Sequence, residues 1–306
     1  MTKRFAERVG SLDWGKLAPL RLRARAIAEG VYAGAHRSRR RGSGVEFGGH
    51  RSYVPGDDLR FLDRRATMRH GKLIVRQFET ETDRGLRLIV DASQSMAYRS
   101  ESAPGAKLAF AALVGAALCR VALASADTVS LDFIGGEHAP PLPAMGGLEA
   151  FDRLTEILAA VEPSGDASAG VALLDAALDS VARRSRRGTA IVVLSDFIDL
   201  PDGAAERLAA LCSGGKVVVG VRVLDPVEVS FPFTGPVLLR ASEGGAHVET
   251  DGTSARAGYL SALAEKMASY RDKLVEQGGR FVEVTTADDP VLAVQDVLAA
   301  IGGPSA

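Results

Sequence analysis

The chain has 306 residues, 46% of them apolar, enough for one large domain or two ordinary ones with a substantial core. Its two cysteines, Cys119 and Cys212, lack the spacing of a metal knuckle or a disulfide framework, which excludes a disulfide-built scaffold and reads as two buried thiols in a reducing compartment. The net charge is −1, yet residues 1–88 hold 20 of the 37 Lys and Arg and only 10 of the 38 Asp and Glu, so a basic first part precedes an acidic remainder.

Residues 1–41 read as a basic, helical N-terminal segment. Leu17, Leu20, Ile27 and Val31 fall near helical spacing, with Pro19 in a first turn or at a break. Lys3, Arg4 and Arg8 are followed by no apolar core, so a signal peptide is not expected. The run Arg37-Ser38-Arg39-Arg40-Arg41 is a solvated loop, a contact for an acidic protein surface, or a nucleic-acid contact. No aromatic residue is interleaved with these arginines to stack on bases, which counts against nucleic acid. Residues 42–85 change character. Glycines and Pro55 punctuate short strand-like stretches such as Leu73-Ile74-Val75 and Gln77-Phe78-Glu79-Thr80, the pattern of a small β-rich subdomain or arm.

From residue 86 strands and helices alternate. The pattern predicts strand Leu86–Val90, helix Ala106–Ser125 behind Pro104, strand Thr128–Ile134, a Gly/Pro-rich loop over 135–147, and helix Leu148–Val161. A turn at Pro163–Asp166, helix Ala169–Arg184, strand Ala190–Leu194, helix Ala204–Cys212 and strand Lys216–Leu224 follow. A hairpin within Phe231–Val248, helix Ala255–Gln277, strand Arg280–Val284 and helix Val291–Ala300 complete the series. This predicts an α/β domain over 86–301, with a mostly parallel sheet and helices on both faces, and a disordered tail over 302–306. No stretch reaches ~18 apolar residues with few charges, since Leu108–Ala126 is broken by Arg120. A cytoplasmic protein without a membrane span is the expectation.

Two constellations carry chemistry. Asp91-Ala92-Ser93-Gln94-Ser95 stands directly after the apolar strand Leu86–Val90, so one carboxylate and two hydroxyls are delivered to a loop at a strand's C-terminal end, where open α/β sheets bind ligands. Oxygen groups at i, i+2 and i+4 suit a hard divalent cation such as Mg²⁺ or Mn²⁺. The strand Ala190–Leu194 ends in Ser195-Asp196, and a parallel neighbour would bring Asp196 to the same edge. In the plainer alternative, Asp91 and Asp196 only cap turns and helix starts. No His or Lys is close to either motif in the sequence, so a catalytic role is not expected. A metal-dependent hydrolase using Asp91 and Asp196 is the enzymatic alternative, and it lacks a base. Nucleic-acid binding by the basic N-terminal region is another.

The second constellation runs from His50 to Asp63. His50, Arg51, Tyr53, Asp57, Asp58, Arg60 and Asp63 surround a Pro-Gly turn, and they read either as a polar network pinning the β arm or as a partner-binding loop. His50 has no second His or Cys at a ligand spacing.

Taken together, Tyr53-Val54-Pro55-Gly56-Asp57-Asp58, Asp63-Arg64-Arg65-Ala66, Gly71 to Glu79, Asp91-Ala92-Ser93-Gln94-Ser95-Met96 and Leu194-Ser195-Asp196-Phe197 resemble the bacterial domain-of-unknown-function-58 family over roughly residues 40–225. The resemblance implies a von Willebrand A-like domain, in which D-x-S-x-S marks a metal-ion-dependent adhesion site. It implies Asp91, Ser93, Ser95 and Asp196 around a Mg²⁺ or Mn²⁺ that binds a partner's carboxylate. It further implies a non-enzymatic adaptor or chaperone-like partner of a MoxR-type AAA+ ATPase, because such genes usually adjoin those of the family. The chain departs from the family pattern in two places. Arg64 follows Asp63 where relatives commonly carry tryptophan, and Ala172 stands where a von Willebrand A domain places its coordinating threonine. Ser168 or Asp166 would have to substitute there.

Overall fold

The computed structural model describes residues 17–35, 47–52, 63, 67–69, 71–78, 85–136, 139–166, 171–240 and 247–303. A six-stranded sheet forms its centre. In chain order its strands are β3 (Gly85–Ala92), β4 (Thr128–Gly135), β5 (Leu142–Met145), β6 (Ala190–Ser195), β7 (Val217–Leu224) and β10 (Arg280–Thr285). Their spatial order is β10-β7-β6-β3-β4-β5. All neighbours are parallel except β5, which runs antiparallel to β4 at one edge. Chain order reverses direction between β3 and β6. This is the topological switch point of a doubly wound sheet, where the loops after the two strands part and leave a crevice.

The period-two alternation of side chains sorts the strands onto two cores. Leu86, Leu88 and Val90 of β3 face one side with Val192, Leu194, Val219 and Val221. Helices α2 (Lys107–Ala124), α3 (Gly147–Ala160) and α8 (Pro290–Gly302) cover that side. Helix α1 (Leu17–Ala35) lies outside them and buries Ala24, Ile27 and Val31 against the same cluster. Ile89, Ile191, Val193 and Val218 face the opposite side, beneath α4 (Val171–Arg184), α5 (Ala204–Ala210) and α7 (Gly252–Glu276). Because helices cover both faces, the central strands are buried on both faces rather than alternating, as in β3, where all eight residues are buried. The α/β architecture expected from the strand–helix alternation is the one observed.

Two small antiparallel ladders flank the sheet, β1 (Phe47–Ser52) with β2 (Ile74–Phe78) and β8 (Pro236–Arg240) with β9 (His247–Asp251). The loop expected over 135–147 contains the edge strand β5, which four residues including Pro143 disguise in the sequence. Pro is tolerated there because an edge strand has an unpaired side. A further short helix, α6 (Pro226–Ser230), follows β7. Helix α2 corrects the membrane reading: by length and composition Lys107–Ala124 is apolar enough to cross a bilayer, and 67% of it is buried inside the fold as the central core helix. Arg120 does not interrupt it, because its guanidinium lies 5.7 Å from the centre of the Phe151 ring on α3.

Helix α2 approaches the sheet closely through Gly115, where a Cβ would stand 2.7 Å from Cδ2 of the fully buried Leu88. Gly115→Leu is expected to overpack this contact and destabilise the protein by about 1–3 kcal/mol, read as a lowered urea midpoint at unchanged slope.

Candidate metal and partner-binding site

Asp91 is the penultimate residue of β3 and faces the α4 side, and the chain then folds into a single 3-10 turn, Gln94–Ala97. Ser93, in extended conformation, precedes the turn. This returns the chain so that the Ser93 and Ser95 hydroxyls lie 3.1 Å apart, both buried beside Asp91. The loop is strapped from outside: Ser164 N–H donates to Ala92 O at 2.9 Å and Gln94 N–H to Gly165 O at 3.1 Å. Gly135, at φ 70°, lies against it. A Cβ there would come within 3.0 Å of the Ser93 backbone and 2.9 Å of Ser164 O, so close approach as well as backbone conformation requires glycine.

Asp91 is 1% exposed, and both of its carboxylate oxygens accept from neutral groups. Oδ1 takes the Ser93 N–H at 2.9 Å and Oδ2 the Ser195 hydroxyl at 2.6 Å. Burial, reinforced by the negative charge of Asp196, pushes its pKa up to about 6 against the hydrogen bonds it accepts. Asp196 behaves in the opposite way. Burial opposes its ionisation too, but the Lys107 charge, with hydrogen bonds from Lys107, the Ile198 N–H and Ser95, holds it below the usual carboxylate range.

Lys107 is the residue that the sequence reading overlooked. Distant in sequence from Ser195-Asp196, it begins α2, and its ammonium lies 2.8 Å from Asp196 Oδ2 and 2.7 Å from Glu228 Oε1 at 1% exposure. Its Nζ also stands 5.8 Å from the Tyr98 ring centre. Burial alone would lower its pKa, but Asp196 and Glu228 raise it, so it stays a cation. Glu228 uses its other oxygen to accept the Asp225 N–H at 2.8 Å, completing a capping box at the start of α6. The fully buried Asp225 carboxylate in turn accepts from Val227 N–H at 2.9 Å and Ser100 N–H at 2.8 Å. Three loops that leave separate strands are thus tied together through one ammonium. A signal for Lys107 existed. It is the only basic residue in the first turn of a helix whose apolar residues dominate, at the end where the helix dipole disfavours a cation.

The sequence-derived candidates divide. The fold brings Asp91, Ser93, Ser95 and Asp196 to the crevice between β3 and β6. Ala172 is exposed on the first turn of α4 and offers a methyl group, which cannot ligate a cation. Asp166 is close enough to Asp199, two residues beyond the turn after β6, to oppose its ionisation, and both add negative potential near the site. Ser168 lies outside the described residues, as do Tyr53, Asp57, Asp58, Arg60 and the arginine run 37–41. His50 and Arg51 are in β1, in register with Arg76 and Val75 of β2. Asp63 is buried, and its backbone joins that arm by donating to Ile74 O at 2.8 Å and accepting from Thr67 N–H at 2.9 Å.

A family model described as protein of unknown function DUF58 matches residues 49–269. The chain belongs to this family. The match extends past the 40–225 span legible in the motifs and takes in most of α7. Among curated relatives, uncharacterized proteins of Mycobacterium tuberculosis and Mycobacterium bovis are 30% identical over 241 residues, 77% of this chain and 74% of theirs. Solved structures similar to this DUF58 chain include an aerotolerance-related membrane protein from Bacteroides fragilis (20% identity, 72% of this chain and 99% of that one, TM-score 0.47). Another is a von Willebrand factor type A protein from Catenulispora acidiphila (11% identity, 73% and 42%, TM-score 0.41).

The oxygen donors of Asp91, Ser93 and Ser95 fit a hard divalent cation, and the fit has a physical signature. Asp91 is a buried carboxylate that its neutral partners do not hold ionised at its ordinary pKa. Since its folded pKa, about 6, exceeds the unfolded value near ~3.9, Asp91 favours the folded state fully below the unfolded value, and that contribution is lost as pH rises through the folded one. In metal-free buffer Asp91→Asn, neutral throughout, is therefore expected to gain stability relative to the parent chain as pH rises from ~3.5 to ~7, by roughly 2–3 kcal/mol in total. Urea denaturation in EDTA across that range is the check.

Proposed function

We propose that this DUF58 chain is a non-enzymatic interaction adaptor that docks a partner at the carboxyl edge of its central sheet. A Mg²⁺ or Mn²⁺ held by Asp91, Ser93 and Ser95 would supply the positive charge that receives a partner's carboxylate. The observation that carries the reading is the set of buried oxygen donors at the β3/β6 switch point, with Asp91 ionised only at a cost. The acidic surroundings, Asp166 and Asp199 included, favour a cation there. Lys107 speaks against catalysis: an ammonium shared between two carboxylates and held protonated is neither a base nor a nucleophile. The partner we propose is a MoxR-type AAA+ ATPase acting on a client protein, in the cytoplasm where ATP is available. Family membership supports that choice. Asp196, bonded to Lys107, serves the site as a charge rather than through a free oxygen.

Asp91, with its pKa near 6, is also the feature that favours the hydrolase alternative, since a carboxyl poised there can move a proton. The hydroxyl bonded to it, Ser195 Oγ at 2.6 Å, is buried, and among the described residues no His stands beside it to act as a base. Phosphatase and esterase assays that show metal-dependent turnover lost in Asp91→Asn would favour this alternative.

The adaptor reading predicts that the tagged protein retains an AAA+ ATPase from its own lysate in Mg²⁺ and releases it in EDTA. Asp91→Ala, folded by circular dichroism, should lose the partner even in Mg²⁺, which separates this site's metal from the ATPase's own. Equal retention by the parent chain and Asp91→Ala would remove the metal from the interaction.

A further inference from the structure

Among the largest fully buried side chains of the described residues, Lys107 is the charged one. Its ammonium occupies the space between Asp196, at the candidate metal site, and Glu228, on α6. A divalent ion at Asp91, Ser93 and Ser95 and the Lys107 ammonium carry the same sign, and Asp196 is the buried carboxylate that both would draw on. The two aspartates are committed differently. Asp91 accepts only from hydroxyl and amide groups, which a metal displaces or shares readily. Asp196 gives Oδ2 to the ammonium and Oδ1 to the Ile198 N–H at 2.9 Å, so a metal would reach its remaining lone pairs only against a buried cation already neutralising it. Buried ion pairs of this geometry are hard to break, because separation leaves an uncompensated charge.

We propose that Lys107 is a built-in cation that withholds Asp196 from the ligand set, so that a divalent ion is held by Asp91, Ser93 and Ser95 alone and more weakly than the two buried aspartates would otherwise allow. Lys107 is a positioning residue here, acting on the ion through Asp196. Ala172 fits the same scheme: with Asp196 occupied and a methyl group at the threonine position, the donors on the far side of the site are both withdrawn, and the D-x-S-x-S loop carries the ion. A site of this kind exchanges its ion readily and becomes dependent on the partner's carboxylate to complete the coordination. Glu228 gives the displaced charge a second seat, so a change at Asp196 is transmitted to the capping box of α6 through the same ammonium.

The inference rests on the metal reading above, and the test separates the two. Mn²⁺ binding is measured by titration calorimetry on the full chain, with folding followed by circular dichroism. Lys107→Met frees Asp196 and removes a like charge, and is expected to bind Mn²⁺ at least about tenfold more tightly than the parent. Lys107→Met/Asp196→Asn removes one positive and one negative charge, leaves the net charge of the site unchanged, and is expected to bind within about threefold of the parent. If the single variant does not fold, the double variant decides: parent-like affinity supports the proposal, and a loss of more than about tenfold makes Asp196 a ligand and overturns it. A parent that binds Mn²⁺ with a folded Lys107→Met that binds no more tightly overturns this inference alone. No Mn²⁺ binding by the parent or by either variant overturns the metal reading along with it.

Discussion

Burying the Lys107 ammonium is tolerable only because two carboxylate oxygens stand 2.7 and 2.8 Å from it, and the organisation of the sheet's carboxyl edge follows from that constraint. The charge arrives on the first residue of α2, Asp196 on the turn after β6, and Glu228 on the helix after β7. Each belongs to a different crossover, so the ion pairs fix the relative positions of three loops that the parallel sheet itself leaves free. Desolvation makes the arrangement unforgiving. A lone buried charge costs far more than a surface pair is worth, so losing any one member strands the others. Asp225 extends the tie to the 98–106 segment through the Ser100 N–H, and Tyr98 lines the ammonium with an aromatic face.

The same edge shows why two aspartates so similar in sequence end with opposite character. Both are 1% exposed and both end up beside a serine hydroxyl. What differs is the charge each one meets. Asp196 meets an ammonium and is held ionised, whereas Asp91 meets Asp196 and neutral donors and is pushed towards its protonated form. A pair of carboxyls whose environments drive their pKa values apart is a common sign of a functional site. Here the side that lacks a cation is the side built from D-x-S-x-S, and the side that already holds one lacks the expected threonine.

Much of this was legible in the chain. The apolar runs of β3, β6 and β7 announce buried parallel strands because no polar face interrupts them, and the alternation with helical segments leaves few architectures open. The position of Asp91, Ser93 and Ser95 at a strand end follows directly, since a loop motif placed after a strand must lie at the sheet's carboxyl edge. Strand β5 was not legible: four residues at an edge carry too little periodicity, and Pro143 reads as a loop. Helix α6 was hidden for a similar reason, being set by a capping box rather than by an apolar stripe. Asp196 was placed correctly at the edge, but its partner was not foreseen, because Lys107 is separated from it by 89 positions.

The sequence by itself determined the doubly wound α/β class, the strand that presents the oxygen-rich loop, and the family, because hydrophobic period and short motifs are local properties. Only the tertiary structure decided which carboxylate stays ionised, which cation it holds, and that Glu228 and Ser195 belong to the site. Those outcomes depend on charges brought within hydrogen-bond distance across crossovers and on water excluded from between them. Electrostatic energy at such distances varies severalfold with burial, and burial is a property of the folded chain rather than of any segment of it.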